Sequence, residues 1–139
     1  MTGVVASALA VDLGTTAAKA AVVLADGSLA GTGTRAIITT FGPDGSATQD
    51  PIEIWAAVVD ACSDALSEAE ARNGTRTVDV ICAASQWASI VAVDADGCAL
   101  APMMTWLDER GEPLNSAVLR SEEHTSELQS RLHLVCRLL

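Results

Sequence analysis

Two short apolar runs joined by a tight turn near the N-terminus place the strongest limit on what this chain can fold into. The first run covers residues 4–11 and ends at Asp12, and the second covers residues 20–24 and ends at an Ala-Asp-Gly turn. Apolar runs of this length that are bounded by glycine-containing turns are typical of β-strands. Together with the Thr- and Ile-rich segment 28–40, they predict an antiparallel three-stranded start to the fold.

A helix is predicted after these strands, within the segment 49–74. Asp50 can cap its first turn, Pro51 suits the first helical position, and Gly74 is a left-handed stop signal. Helical spacing predicts one apolar face, with a core tryptophan, formed by Trp55, Val58, Val59, Cys62, Leu66 and Ala69. Short runs at 78–83 and 90–93 predict one buried strand and one further strand, which gives an α/β fold with the order β-β-β-α-β-β.

Composition and charge exclude several classes of function. The 139 residues suffice for one domain with a core, and half of them are apolar. The formal net charge of −10, with only eight scattered Lys and Arg residues, argues against nucleic-acid binding, because a phosphate backbone needs clustered cations. The N-terminal apolar run is too short to span a membrane and has no basic residue before it, which predicts a soluble, cytoplasmic protein without a membrane partner.

The four cysteines do not form a pattern typical of a metal site or of a disulfide framework. Cys62, Cys82, Cys98 and Cys136 contain no Cys-x-x-Cys pair, and no His lies near them at ligand spacing. We therefore expect buried free thiols.

The residues after the first strand are typical of a phosphate-binding loop. Gly14 permits a tight turn, so that backbone amides and the hydroxyls of Thr15 and Thr16 can face phosphate oxygens. Asp12, at the strand end, is suited to hold Mg²⁺, and we assign Lys19 to the phosphates. The Asp-Leu-Gly-Thr-Thr segment resembles the loop shared by sugar kinases, Hsp70 chaperones and actin-like ATPases, which implies ATP and Mg²⁺ as ligands. An ordinary hairpin turn is the alternative.

Three further segments narrow this resemblance to one family. The Gln-Asp-Pro tripeptide at 49–51 resembles a helix start of the FGGY carbohydrate kinase family, although Thr48 stands where that family usually has Glu. The Ser-Gln-Trp segment at 85–87 resembles the family's sugar-binding Gly-Gln-Met segment. Residues 102–110 match its Pro-x-x-x-Trp-x-Asp-x-Arg segment in all four fixed positions. The segments occur in family order and at roughly family spacing over residues 7–119.

The resemblance implies that four side chains bind the sugar. Gln86 can exchange hydrogen bonds with a hydroxyl, and Trp87 offers an apolar face to the C–H side of a sugar. Asp108 can accept from vicinal hydroxyls, and Arg110 can donate to their oxygens in a rigid fork. The alternatives are a buried Trp87 beside a surface Gln86, and a solvated surface around Asp108.

Family membership implies an incomplete ribonuclease-H-like lobe of the actin, Hsp70 and sugar-kinase superfamily. We expect the N-terminal portion of an ATP-dependent carbohydrate kinase, inactive alone because the general base and the adenine-binding lobe belong to later sequence. The expected substrate is a pentulose such as xylulose, ahead of gluconate and glycerol, and a homodimer is the assembly considered for the full-length protein. The alternatives are an Hsp70- or actin-like nucleotide switch and a non-catalytic sugar-sensing domain.

The last twenty residues differ in character from the rest of the chain. Residues 120–130 read RSEEHTSELQS, which resembles a translated DNA sequencing adapter. We therefore divide the chain into a partial N-terminal lobe at 1–119 and a non-native tail at 120–139. The alternative is an amphipathic helix, since apolar residues of the tail have helical spacing.

Overall fold

The computed structural model describes residues 7–74 and 76–112. In chain order its elements are β1 (Ser7–Leu13), β2 (Ala17–Leu24), β3 (Leu29–Ala36), β4 (Thr40–Phe41), β5 (Ala47–Gln49), α1 (Pro51–Asn73), β6 (Val80–Ser85), β7 (Met103–Met104) and a 3₁₀ turn (Glu109–Gly111). Within these two ranges, no helix combines the length and apolar character that crossing a bilayer requires.

A four-stranded sheet with the order β3-β2-β1-β6 is the frame of the fold. β1, β2 and β3 pair antiparallel, with Leu9 opposite Val22, which confirms the predicted three-stranded start. α1 then carries the chain across, so that β6 pairs parallel with β1 and Ser85 lies opposite Leu13. Because these two strands are parallel, their carboxyl ends and the loops that follow them lie side by side.

Helix α1 begins and ends at the predicted signals. A carboxylate oxygen of Asp50 accepts a hydrogen bond from the Ile52 backbone N–H at 2.8 Å, and Pro51 occupies the first turn. At the other end Gly74 adopts a left-handed φ of 70°, and its N–H donates to the carbonyl of Glu70 at 2.8 Å. Both ends are therefore set by residues local to them in sequence.

The predicted apolar face of α1 is confirmed only in part: Ala69 is buried, and Val58, Cys62 and Leu66 pack against the core. Trp55 is 68% exposed and Val59 is 45% exposed, so the predicted core position of Trp55 is wrong. The buried positions of the helix are Ile54, Ala57, Ala61, Ala65 and Ala69. Gly31 and Gly33 of β3 face this alanine stripe without a Cβ, so the helix backbone lies directly against the strand. A stripe of larger side chains would hold the helix further from the sheet.

The strand β6 is an exposed edge strand, which corrects the prediction of a buried strand at 78–83. All six of its residues are exposed, and Ile81 is 65% exposed. The reason is that α1 packs mainly on β2 and β3 and reaches β1 only weakly.

The cysteines differ in part from the expectation of buried thiols. Cys82 and Cys98 are exposed, which makes that expectation wrong for both. Cys62 is partly buried, and burial raises the pKa of its thiol. Cys136 lies outside the described residues.

The strand predicted at 90–93 is also wrong. Ile90 pairs with Met104, and Val93 pairs with Ala99, each as a single isolated bridge. A tight turn follows, in which Asp94 donates its N–H to the Cys98 carbonyl at 2.9 Å. The apolar run therefore forms one arm of an irregular hairpin and not a regular sheet strand.

A second, smaller sheet with the order β4-β5-β7 was not predicted. Ala47 anchors it, because its carbonyl accepts hydrogen bonds from the backbone N–H and the hydroxyl of buried Thr105, both at 3.0 Å. This sheet places the end of β5, Gln49, and the residue after Thr105, Trp106, beside the turn that follows β1.

Candidate functional site

The turn between β1 and β2 holds the predicted phosphate loop. The Gly14 N–H donates to the Ala17 carbonyl at 3.0 Å and closes the turn. Thr15 is held at two atoms: its carbonyl accepts from Gln49 Nε2 at 2.6 Å, and its hydroxyl oxygen accepts from Trp106 Nε1 at 3.0 Å. The loop is therefore braced by distant residues, while the Thr15 hydroxyl keeps its own hydrogen for an anion.

Asp12 and Lys19 lie on a different surface from Thr15. They are opposite one another on β1 and β2, and both are exposed. Because they alternate along their strands with the core-facing Val11 and Ala20, they project from the sheet face away from α1. There they line a separate open cavity of about 530 Å³. The residues predicted to bind the phosphates and Mg²⁺ therefore lie on two different sides of the end of β1.

The donor set at Asp12 suits a magnesium ion that arrives with a nucleotide. Such an ion is held by one or two protein carboxylates together with phosphate oxygens and several waters. Asp12 supplies one exposed carboxylate at the strand end, beside the phosphate turn. Among residues 7–74 and 76–112, no group of three or more His, Cys, Asp and Glu side chains is placed to hold a metal.

The loop after β6 carries the predicted sugar-binding pair. The Gln86 N–H donates to the Leu13 carbonyl at 2.7 Å and ties this loop to the end of β1. The Gln86 side chain donates from Nε2 to Gln49 Oε1 at 2.9 Å. Trp87 is 89% exposed, which excludes the alternative of a buried Trp87. Ala88 has a positive φ of 54°, a conformation that residues other than glycine adopt rarely and that is common at ligand-binding loops.

One open cavity of about 510 Å³ joins the two loops, and its walls are Gly14, Thr15, Gln86, Trp87, Ala88 and Trp106. It brings together two residues predicted for phosphate and two predicted for sugar. Trp106 was treated in the sequence only as part of a family segment, yet its indole both lines the cavity and bonds Thr15. Its apolar ring, 58% exposed, suits the C–H face of a polyol.

Asp108 and Arg110 bond to one another and are not among the residues that line this cavity. The Asp108 carboxylate, 7% exposed, accepts from the Arg110 side chain at 2.6 and 2.9 Å and from the Ala47 N–H at 3.1 Å. These hydrogen bonds, first of all those from Arg110, hold the pKa of Asp108 well below its usual range. The pair braces the 3₁₀ turn against β5. Its assignment to sugar hydroxyls stays a prediction.

Gln49 is the residue at this site whose role the sequence did not predict. It was interpreted as part of a helix start, but it is 1% exposed and its amide bonds three other residues. Its partners lie 10, 34 and 37 positions away in the sequence. No local signal marked it, because the strand that it ends, β5, was itself not predicted.

Comparison with known protein families identifies what this site belongs to. The model for the N-terminal domain of the FGGY family of carbohydrate kinases matches residues 7–138. The chain belongs to the FGGY family of carbohydrate kinases. The match extends past Leu119. Residues 120–139 lie outside the described residues, and their interpretation as a non-native tail stays a prediction.

The relatives within the FGGY family are sugar and polyol kinases. The chain is 30% identical over 128 residues to a glycerol kinase from Bradyrhizobium sp. (strain ORS 278), covering 91% of this chain and 25% of that protein. Its fold is similar to xylulose kinase from Rhodospirillum rubrum (TM-score 0.76, 21% identity, 87% of this chain and 24% of that one). It is also similar to Plasmodium falciparum glycerol kinase with ADP (TM-score 0.75, 17% identity, 88% and 24%).

These structural similarities confirm the predicted ribonuclease-H-like α/β fold of the FGGY family. The chain spans about a quarter of the length of the curated relatives and solved structures that it matches.

Proposed function

We propose that this FGGY-family chain is the N-terminal portion of an ATP-dependent kinase that transfers the γ-phosphate of ATP to a hydroxyl of a sugar or polyol. The observation that supports it most is the shared cavity between the turn after β1 and the loop after β6. Phosphoryl transfer depends mainly on positioning two reactants and stabilising charge, and a phosphate loop beside a hydroxyl-binding amide is suited to both.

In this proposal the turn after β1 binds the phosphates of ATP. Gly14 keeps the turn open, and Thr15 and Thr16 donate from their hydroxyls. Lys19 lies with Asp12 on the other side of the strand end, and its proposed charge acts on phosphates that extend around that end. Asp12 would hold Mg²⁺, which would supply positive charge against the phosphates of ATP. The general base is proposed to belong to sequence that follows in the full-length protein.

The sugar is proposed to bind between the loop after β6 and the 3₁₀ turn. Gln86 bonds a hydroxyl, while Trp87 packs on a C–H face of the sugar. Trp106, which lines the cavity but was not predicted to bind the sugar, packs on another. Asp108 and Arg110 remain in the proposed sugar site. Because Arg110 already occupies the Asp108 carboxylate, a sugar hydroxyl must replace one of these hydrogen bonds.

The proposed substrate is a pentulose such as xylulose, and glycerol is the second candidate. The two exposed tryptophan faces around Gln86 suit a substrate with an extended C–H surface, which favours the larger molecule. The glycerol candidate is favoured by the sequence similarity to proteins named glycerol kinase, at 30% and 34% identity.

The test is ADP release by the full-length gene product with D-xylulose, glycerol or D-gluconate. We expect sugar-dependent ADP release, and Gln86→Ala should raise the KM for the sugar while leaving the KM for ATP unchanged. ATP hydrolysis without any sugar would favour a nucleotide switch, and sugar binding without ADP release would favour a sensing domain. Either result would overturn the kinase proposal.

Two further properties belong to the same proposal. A cytoplasmic location is proposed because ATP and free sugars are cytoplasmic substrates, and a homodimer is proposed from the family resemblance. Cell fractionation and light scattering of the full-length protein test them.

A further inference from the structure

We propose that Gln49 is a positioning residue that determines which end of the Gln86 amide meets the substrate. The inference rests on the proposed function, because it takes Gln86 as a sugar-binding side chain. It adds a residue outside the cavity wall that acts on the substrate only through Gln86.

The orientation of the Gln49 amide follows from its partner on the phosphate turn. Gln49 is 1% exposed, and one end of its amide lies 2.6 Å from the carbonyl oxygen of Thr15 and 2.8 Å from the hydroxyl oxygen of Thr39. A backbone carbonyl can only accept a hydrogen bond, so the end that faces Thr15 must be the NH₂ group. The reverse orientation would hold two acceptors together in a buried space.

This orientation determines that of Gln86 in turn. Both N–H bonds of Gln49 are engaged, so its oxygen is the atom that faces Gln86, at 2.9 Å. That oxygen can only accept, and Gln86 must therefore direct its nitrogen inward. The backbone carbonyl of Thr15 thus sets the direction of two successive side-chain amides.

This relay of hydrogen bonds, from the Thr15 carbonyl through Gln49 to Gln86, leaves the Gln86 oxygen without a partner among residues 7–74 and 76–112. Within the described part of the chain, Gln86 Oε1 is buried and has no hydrogen-bond partner. A buried acceptor without a partner is unfavourable, and a ligand hydroxyl that donates to it removes that penalty. Gln86 lines the open cavity together with Trp87, which is 89% exposed. The subsite therefore selects a hydroxyl donor, as polyols and ketoses provide.

The amide orientation is tested by side-chain NMR of the ¹⁵N-labelled chain, which contains three glutamines, at positions 49, 86 and 129. We expect one slowly exchanging side-chain proton on Gln86. Gln49→Met should abolish this protection, because methionine preserves much of the volume but offers no amide oxygen. Thr39→Val is the matched control: it removes one Gln49 partner, but Thr15 still orients the amide, so the Gln86 proton should stay protected. Unchanged protection in Gln49→Met, or lost protection in Thr39→Val, would overturn the inference.

A second variant tests the direction of the relay and does not depend on the folding of Gln49→Met. In Gln86→Met, the Gln49 amide protons should remain slow to exchange, because Thr15 and Thr39 still hold them. Fast exchange of the Gln49 protons in this variant would mean that Gln86 orients Gln49, and the inference would be refuted.

Titration with D-xylulose and glycerol separates the inference from the proposed function. We expect either ligand to shift the Gln86 amide signals, with an apparent Kd raised roughly three- to tenfold in Gln49→Met, the loss of about one hydrogen bond. Equal Kd values in Gln49→Met and Thr39→Val would refute the positioning role and leave the proposed function intact. No shift with either ligand would count against the sugar site itself, while the exchange data would still decide the amide orientation.

Discussion

The close approach of α1 to β3 predicts that a single methyl group on Gly33 destabilises the fold. A Cβ added there would lie 2.8 Å from the carbonyl carbon of Ala61 and closer still to its oxygen. A Cβ at Gly31 would lie 2.6 Å from the backbone nitrogen of Ala69. These are backbone atoms of a 23-residue helix, so no single side chain can rotate away to relieve the clash.

The magnitude follows from what must move. To restore an ordinary separation the helix must lift by roughly 1 Å, and small-to-large changes in a packed core cost about 1–3 kcal/mol. We take the upper value, about 3 kcal/mol, because the clash involves main chain only. Replacing glycine also restricts the unfolded chain, which returns up to about 1 kcal/mol. The net cost for Gly33→Ala is therefore about 2 kcal/mol, a large part of the roughly 5–15 kcal/mol of total stability usual for a domain.

Thermal and urea unfolding of the chain, followed by circular dichroism, measure this effect. A loss of about 2 kcal/mol corresponds to a fall in Tm of roughly 4–16 °C, the range that spans domains smaller and larger than this chain. Gly111→Ala is the matched control, because a Cβ at Gly111 meets no atom within 4 Å. If Gly33→Ala unfolds within about 0.5 kcal/mol of Gly111→Ala, the helix can shift without loss and the packing argument is refuted.

Two further predictions concern the helix cap and the ion pair. Asp50→Ala should lower the free energy of unfolding by about 1 kcal/mol, because the Ile52 N–H loses its acceptor; an unchanged urea midpoint would contradict the capping role. Asp108→Asn should reduce the decrease in the free energy of unfolding that occurs between pH 7 and pH 3. Since Arg110 lowers the pKa of folded Asp108, its stabilisation is complete above the unfolded pKa of about 3.9 and decreases as pH falls below it. Urea midpoints at pH 7 and pH 3 test this, and equal pH dependence of the two proteins would refute it.

The parts of the fold that were predicted correctly depend on signals close together in the sequence. The strands β1 and β2 follow from short apolar runs that end at glycine-containing turns, and β3 follows from the Thr- and Ile-rich segment 28–40. Both ends of α1 follow from the capping residues Asp50 and Gly74. A cap acts on backbone groups two to four residues away, so the sequence around it contains the whole interaction.

The parts that were wrong depend on partners far away in the sequence. Helical spacing allowed an apolar face around Trp55, but the glycines of β3 select the alanine stripe, since only small residues fit a helix lying against the strand backbone. The run at 78–83 was predicted to be buried from its own composition. The burial of this run depends on what packs against it. Helix α1 packs on β2 and β3, away from the edge of the sheet that β6 forms.

The candidate site shows the same division. Gly14, Thr15, Gln86 and Trp87 were predicted from local motifs and line one cavity. Sequence alone therefore determined the chemical groups at the site, the strand ends that present them and, through the spacing of its motifs, the family. Tertiary structure decided which groups meet: Gln49 reaches partners 34 and 37 positions away, and the Trp106 indole bonds a hydroxyl 91 positions away. A hydrogen bond needs a separation of about 3 Å, and over such chain distances it forms only when the folded sheets bring their end residues and loops that close.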